Sequence, residues 1–178
     1  MRLSTRGRYA VMALVELAVR EGRSKQRPDA PAASSEASPV TLAEIAAAQM
    51  LSVAYLEQLF ARLRRGGLVA SARGPGGGYR LAVPPALISI ARIVEAVDEP
   101  ISATRCSEGT PGCLGGQRCH THDLWEELGE QIRLFLDGIT LAEVVAGQVL
   151  GRAAPPGPAE GTGRVPALEF KMGEDRHR

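Results

Sequence analysis

The chain has 178 residues, with 21 Lys/Arg against 20 Asp/Glu and 44% hydrophobic residues, and it contains no apolar run of the roughly 18 residues that would cross a bilayer. The near-neutral total hides an uneven distribution: residues 1–82 hold 12 Lys/Arg against 6 Asp/Glu, whereas residues 83–178 hold 9 against 14. A basic N-terminal half suits a polyanionic partner, because phosphates attract Lys and Arg irrespective of sequence, although a well-solvated basic surface would look the same.

Residues 9–19 are apolar enough to suggest a signal segment, but they carry Glu16 and run into Arg20, Glu21 and Arg23 without a small-residue cleavage site. The reading is a cytoplasmic protein. Residues 7–20 predict an amphipathic helix, with Tyr9, Met12, Leu14, Val15 and Leu17 near helical spacing. Pro28, Pro31 and Pro39 then punctuate a small, polar stretch, so 22–39 reads as a flexible surface loop.

Thr41-x-x-Glu44 is a capping box and opens a short helix ending near Gln49, with Leu42, Ile45 and Ala46 turned inward. Ser52 is placed to N-cap a further helix over 53–65. Leu56, Leu59, Phe60 and Leu63 form its buried stripe, Arg62, Arg64 and Arg65 are available outward, and Gly66-Gly67 ends it. Strands over 68–72 and 79–83 flank the turn-rich tip Arg73-Gly74-Pro75-Gly76-Gly77-Gly78. A helix over 87–97 stops at Asp98-Glu99-Pro100, a long amphipathic helix covers 123–136, and a short one covers 141–150. From Gly151 the chain is rich in Pro, Gly and charge and is expected to be disordered.

The expected fold is mainly α with a small β-wing: a winged helix-turn-helix domain over 1–100, a ligand loop over 101–122, and a long dimerisation helix with a short final helix over 123–150. In such a domain the second helix enters the major groove N-terminus first. Ser52, Tyr55, Glu57 and Gln58 would then meet DNA: Ser and Tyr suit phosphate, Gln pairs with adenine, and Glu accepts from cytosine N4. A glycine-rich wing tip has little bulk, so its backbone can approach another surface, and Arg73 beside it could enter a narrow minor groove. Arg2, Arg6 and Arg8 would add phosphate contacts. An ordinary polar helix face and a plain hairpin remain the simpler alternatives.

The three cysteines of the chain, Cys106, Cys113 and Cys119, lie with His122 inside seventeen residues, spaced C-x6-C-x5-C-x2-H and interleaved with glycines. Thiolates and imidazole suit iron–sulfur clusters, zinc or Cu(I), and suit calcium or magnesium poorly. An odd set of closely spaced cysteines argues against a disulfide scaffold. His120 competes with His122, but it adjoins Cys119 too tightly for easy joint ligation. A structural Cys3His zinc site is the rival, though the C-x2-4-C pair usual for zinc is absent. Free thiols acting as a redox switch are a further alternative. On the long helix, Leu124, Trp125, Leu128, Ile132, Phe135 and Leu136 share one face, and the first five are assigned to a subunit interface.

The opening MRLSTRGRYAV, the stretch Tyr55-Leu56-Glu57-Gln58-Leu59-Phe60-x-Arg62-Leu63-Arg64, the wing Arg73–Tyr79 and the cysteine loop together resemble the iron–sulfur cluster regulators of the Rrf-type winged-helix family. The resemblance spans about residues 1–22 and 40–150. It implies a homodimeric bacterial transcription regulator, not an enzyme, that binds pseudo-palindromic double-stranded DNA. It further implies one 2Fe–2S cluster per subunit on Cys106, Cys113, Cys119 and His122, supplied by the iron–sulfur assembly machinery, with repression of cluster-assembly genes. It places DNA contacts on Ser52, Tyr55, Glu57, Gln58, Arg73 and Pro75, with Gly74 in the same tip. The first cysteine interval is one residue longer than in the family and contains Pro111, residue 54 is Ala where the family has a hydroxyl, and 22–39 is longer. A related sensor of nitric oxide or redox stress, and an electron carrier or enzyme using the cluster, are the other functions that the loop alone would permit.

Overall fold

The computed structural model describes residues 5–25, 38–74, 76–97 and 119–149. Helix α1 (Thr5–Lys25) runs through the centre, with α2 (Leu42–Gln49), α3 (Val53–Arg65), α4 (Ile90–Val97) and α6 (Leu141–Val145) against it, while α5 (His122–Asp137) packs on α4. Strands β1 (Val69–Ala72) and β2 (Gly78–Leu81) form a two-stranded antiparallel sheet in which Val69 pairs with Leu81 and Ala72 with Gly78. No helix among the described residues is long and apolar enough to cross a membrane.

Short-range signals produce the helix ends. The Thr41 hydroxyl accepts from the Glu44 N–H at 3.3 Å, and the Glu44 carboxylate accepts from the Thr41 N–H at 2.8 Å, so two orphan donors are satisfied reciprocally. The Thr41 hydroxyl also donates to the Glu44 carboxylate at 2.7 Å, and this bond first, then that from the Thr41 N–H, holds the Glu44 carboxyl below its usual range. Gly67 turns left-handed after α3, at φ 69°, and the Leu68 N–H reaches back to the Leu63 carbonyl at 3.0 Å.

The core gathers Leu14 and Leu17 of α1, Ile45 of α2, Leu56, Leu59, Phe60 and Leu63 of α3, and Ile93 and Val97 of α4. Expectation and structure differ at α1. Its most buried side chains include Ala10, Ala13 and Ala18, while Tyr9, Met12 and Val15 are half-buried. Small residues let this central helix approach its neighbours closely, which a search for large apolar residues does not register. The helix also continues to Lys25, so residues 22–25 of the expected loop are helical. Glu21 accounts for part of this: it is 8% exposed, and its carboxylate accepts the Leu81 N–H at 2.6 Å.

That bond, with Val40, covers the edge of β2 that faces away from β1. Val40 exchanges two backbone hydrogen bonds with Tyr79, at 2.9 and 2.8 Å. An uncovered strand edge is a template for unwanted pairing, and here the chain entering α2 supplies the partner groups. Gly78 is required at this spot, because a Cβ would run into the Val40 carbonyl.

Two other boundaries shift. The helix expected over 87–97 begins at Ile90, after a 3-10 turn over Pro85–Leu87, and the last helix ends at Val145, with Ala146–Val149 forming turns. Each wing strand is one residue shorter than expected, and β2 begins one residue earlier, at Gly78. Residues 26–37, most of the ligand loop and the tail from 150 lie outside the described residues.

Candidate nucleic-acid interface and metal centre

The segment α2–turn–α3 presents the reading face. Met50 caps α2 in the left-handed region and Leu51 N–H returns to the Ala46 carbonyl at 3.1 Å, so the chain reverses tightly before Ser52. Ser52 accepts the Tyr55 N–H at 3.2 Å and starts α3. Ser52, Glu57 and Gln58 are exposed on the first turns, in the same band as Ala54 and Ala61. Tyr55 differs from the expectation of an open position. It is half-buried, with its ring edge-on to Tyr9 at 5.9 Å between centroids, which joins the start of α3 to α1. Its ring packs against the core, so at most its hydroxyl end serves a ligand.

Arg73 is exposed at the foot of the wing. Gly74 and Gly76 hold φ of 102° and 76°, and the Gly77 N–H donates to the Gly74 carbonyl at 2.9 Å, closing the tip. Positive φ at two positions explains the glycines physically. A Cβ on Gly77 would stand 2.6 Å from the Ala72 carbonyl oxygen. Pro75 and Arg2 lie outside the described residues. Arg8 is exposed, its guanidinium 5.5 Å from the Tyr9 ring centroid.

Arg62 is exposed, as expected, and also makes a contact that sequence does not reveal. Its guanidinium donates to the Val97 carbonyl at 3.1 Å, and Arg6 reaches the same oxygen at 3.5 Å. Val97 ends α4, where unpaired carbonyls carry partial negative charge, so two cations stabilise this terminus.

Of the ligand set, Cys119 and His122 are described, both half-buried, and Cys106 and Cys113 lie outside the described residues. The His122 N–H donates to the Cys119 carbonyl at 3.0 Å, so the C-x2-H spacing folds as one turn entering α5. His122 is the first helical residue, one earlier than expected. The Thr121 hydroxyl lies 3.5 Å from the Cys119 sulfur, and His122 Nε2 lies 3.4 Å from a Glu126 carboxylate oxygen. Ligand atoms of His122, Asp123 and Glu126 come within 4.8 Å of one another, while His120 is exposed. A thiolate and an imidazole on one turn fit iron–sulfur or zinc chemistry, and a hydroxyl beside the sulfur is a usual means of tuning it.

The family model described as "Rrf2: Iron-dependent Transcriptional regulator" matches residues 3–147. The chain belongs to the Rrf2 family. It is 49% identical over 148 residues to the HTH-type transcriptional regulator IscR of Yersinia enterocolitica, covering 83% of this chain and 81% of that protein. The IscR of Serratia proteamaculans matches at the same identity and coverage. Among solved structures, T. potens IscR superposes with a TM-score of 0.62 at 34% identity, over 87% of this chain and 93% of that one. CymR (YrzC), the global cysteine regulator of B. subtilis, gives 0.63 at 31%, over 83% and 98%.

This Rrf2 chain is thus a transcription regulator, a non-enzymatic role, built as a winged helix with the small sheet as its wing. Because Rrf2 proteins named for cysteine regulation and IscR proteins share the architecture, the fold does not select the signal. The donor residues specific to this chain must do so. On α5 the Rrf2 chain leaves apolar surface open: Leu124 is 62% exposed, and Trp125, Leu128 and Phe135 are exposed beside half-buried Ile132. Gly129 is the buried residue of this helix, and Leu136 packs against the core instead of joining the open stripe.

Proposed function

We propose that this regulator senses a 2Fe–2S cluster held by Cys106, Cys113, Cys119 and His122. The observation that carries this reading is the Cys119–His122 turn at the head of α5, in a chain 49% identical to proteins named IscR. Bound there, the cluster would supply a redox-active, acid- and air-sensitive centre whose occupancy follows iron and sulfide supply. Three thiolates with one imidazole carry less negative charge than four thiolates, which favours a higher potential and easier loss.

The chain reads DNA with Ser52, Glu57 and Gln58 in the major groove and the Tyr55 hydroxyl on phosphate. Arg73, Gly74 and Pro75 of the wing and Arg2 supply flanking contacts. Two copies meet through Leu124, Trp125, Leu128, Ile132 and Phe135, so that paired reading helices match a pseudo-palindromic site. Repression of cluster-assembly genes follows if the loaded state binds those operators more tightly. Occupancy changes DNA affinity only through such a difference between two states.

Anaerobic purification with visible spectra and iron, sulfide and zinc analysis tests the reading. About two irons and two sulfides per chain, with charge-transfer bands that bleach in air, are expected. One tight zinc in a colourless chain would make the site structural and overturn the sensing mechanism.

A further inference from the structure

We infer that Glu126 positions His122, accepting the Nε2 proton so that Nδ1 is the nitrogen presented to the metal. The inference rests on the reading of His122 as a ligand and goes one shell beyond it.

Helical geometry brings residues four apart onto one face, and Glu126 follows His122 by four at the start of α5. Nε2 and the Glu126 carboxylate oxygen are 3.4 Å apart, with the His122 side chain 12% exposed and Glu126 57% exposed. A neutral imidazole has one N–H donor and one acceptor nitrogen, so fixing the donor fixes the ligating atom. An acceptor anchored one turn further along α5 also limits rotation of the ring. Carboxylates in this relation to a ligating histidine orient it and raise its basicity, which strengthens the metal bond and lowers the reduction potential of the centre. Asp123 also lies near this group, within the 4.8 Å cluster, but at i+1 it cannot share the helical face of His122.

The test uses the full chain, loaded anaerobically, in five versions: parent, Glu126→Ala, Glu126→Gln, His122→Ala, and Asp123→Asn as the charge control. Three quantities are read at one fixed pH: the rate of iron release to a chelator, the midpoint potential, and the nitrogen hyperfine couplings of the reduced cluster. Far-UV circular dichroism checks that α5 remains folded. Glu126→Ala is expected to release iron about tenfold faster, in line with the loss usual for a partner of a ligating histidine. Its potential should rise and its nitrogen couplings should change. Glu126→Gln, still an acceptor, should fall between it and the parent, and Asp123→Asn should resemble the parent.

If Glu126→Ala matches the parent in all three readouts while His122→Ala loses the cluster, the positioning role is wrong and the ligand assignment stands. If Asp123→Asn reproduces the Glu126→Ala effect, the acidic first turn acts as a field and the specific contact is refuted. A His122→Ala chain with an unchanged cluster removes the ligand assignment, and the positioning role with it.

Discussion

Met50 is the non-glycine residue that the described backbone holds at positive φ, 52°, and its side chain is 93% exposed. A left-handed L-residue costs on the order of 1 kcal/mol, and the position after a helix end is where glycine normally removes that cost. Since the exposed side chain contributes little packing, Met50→Gly is expected to stabilise the fold by about 0.5–1 kcal/mol, read as a higher urea midpoint with an unchanged slope. An unchanged or lower midpoint would mean that Met50 does something at the turn beyond closing it. Gly78 is the converse case. It sits against the Val40 carbonyl, and no side chain fits there without parting the strand from the segment that covers it.

Among the elements, α3 serves two surfaces. Its first turns face outward with Glu57 and Gln58, and its last turns send Arg62 to the end of α4. Arg62→Met, which keeps the stem and removes the guanidinium, is expected to lower stability by about 1 kcal/mol through the lost charged hydrogen bond. Its DNA affinity should keep the parent's salt dependence. A shallower salt slope with unchanged stability would return Arg62 to the phosphate contacts.

Elements defined by neighbours in sequence were legible beforehand: the Thr41–Glu44 box, the Ser52 cap, the Gly66-Gly67 stop and the glycine wing all appear where expected. What escaped depends on partners far along the chain. Glu21 is sixty residues from the Leu81 N–H it accepts, and Arg62 is thirty-five from Val97, so neither role has a local signature. The extension of α1 to Lys25 and the burial of its alanines follow from the same long-range packing. At the proposed metal centre, spacing alone pointed to Cys119 and His122, whereas the nearness of Glu126 to His122 shows only once the histidine is placed on the helix.

At the scale of the molecule, the exposed apolar stripe on α5 is the surface that the proposed dimer would cover with a second copy of matching chemistry. Leu128→Glu places a charge in the middle of that stripe. Burying a leucine is worth about 1.5–3 kcal/mol, so dimerisation should weaken at least tenfold. If the proposed dimer forms, sedimentation would find the variant monomeric at concentrations where the parent sediments as a dimer, with operator binding falling in parallel. A dimer of unchanged strength would move the interface elsewhere.

The C-terminal end of α5 is tied to the DNA-reading domain by three hydrogen bonds. At Asp137 the Ser89 hydroxyl donates to its carboxylate at 2.8 Å, Ile90 N–H donates to the Ile139 carbonyl at 2.9 Å, and Leu141 N–H donates to the Ile88 carbonyl at 2.8 Å. That end acts as a fulcrum, and His122 lies at the opposite end of the same helix. With 16 residues the arm is about 24 Å long, so a tilt of about 5° displaces the tip by about 2 Å. Run in reverse, the same leverage means that if His122 holds the proposed cluster, a small displacement there would turn the hinge only slightly.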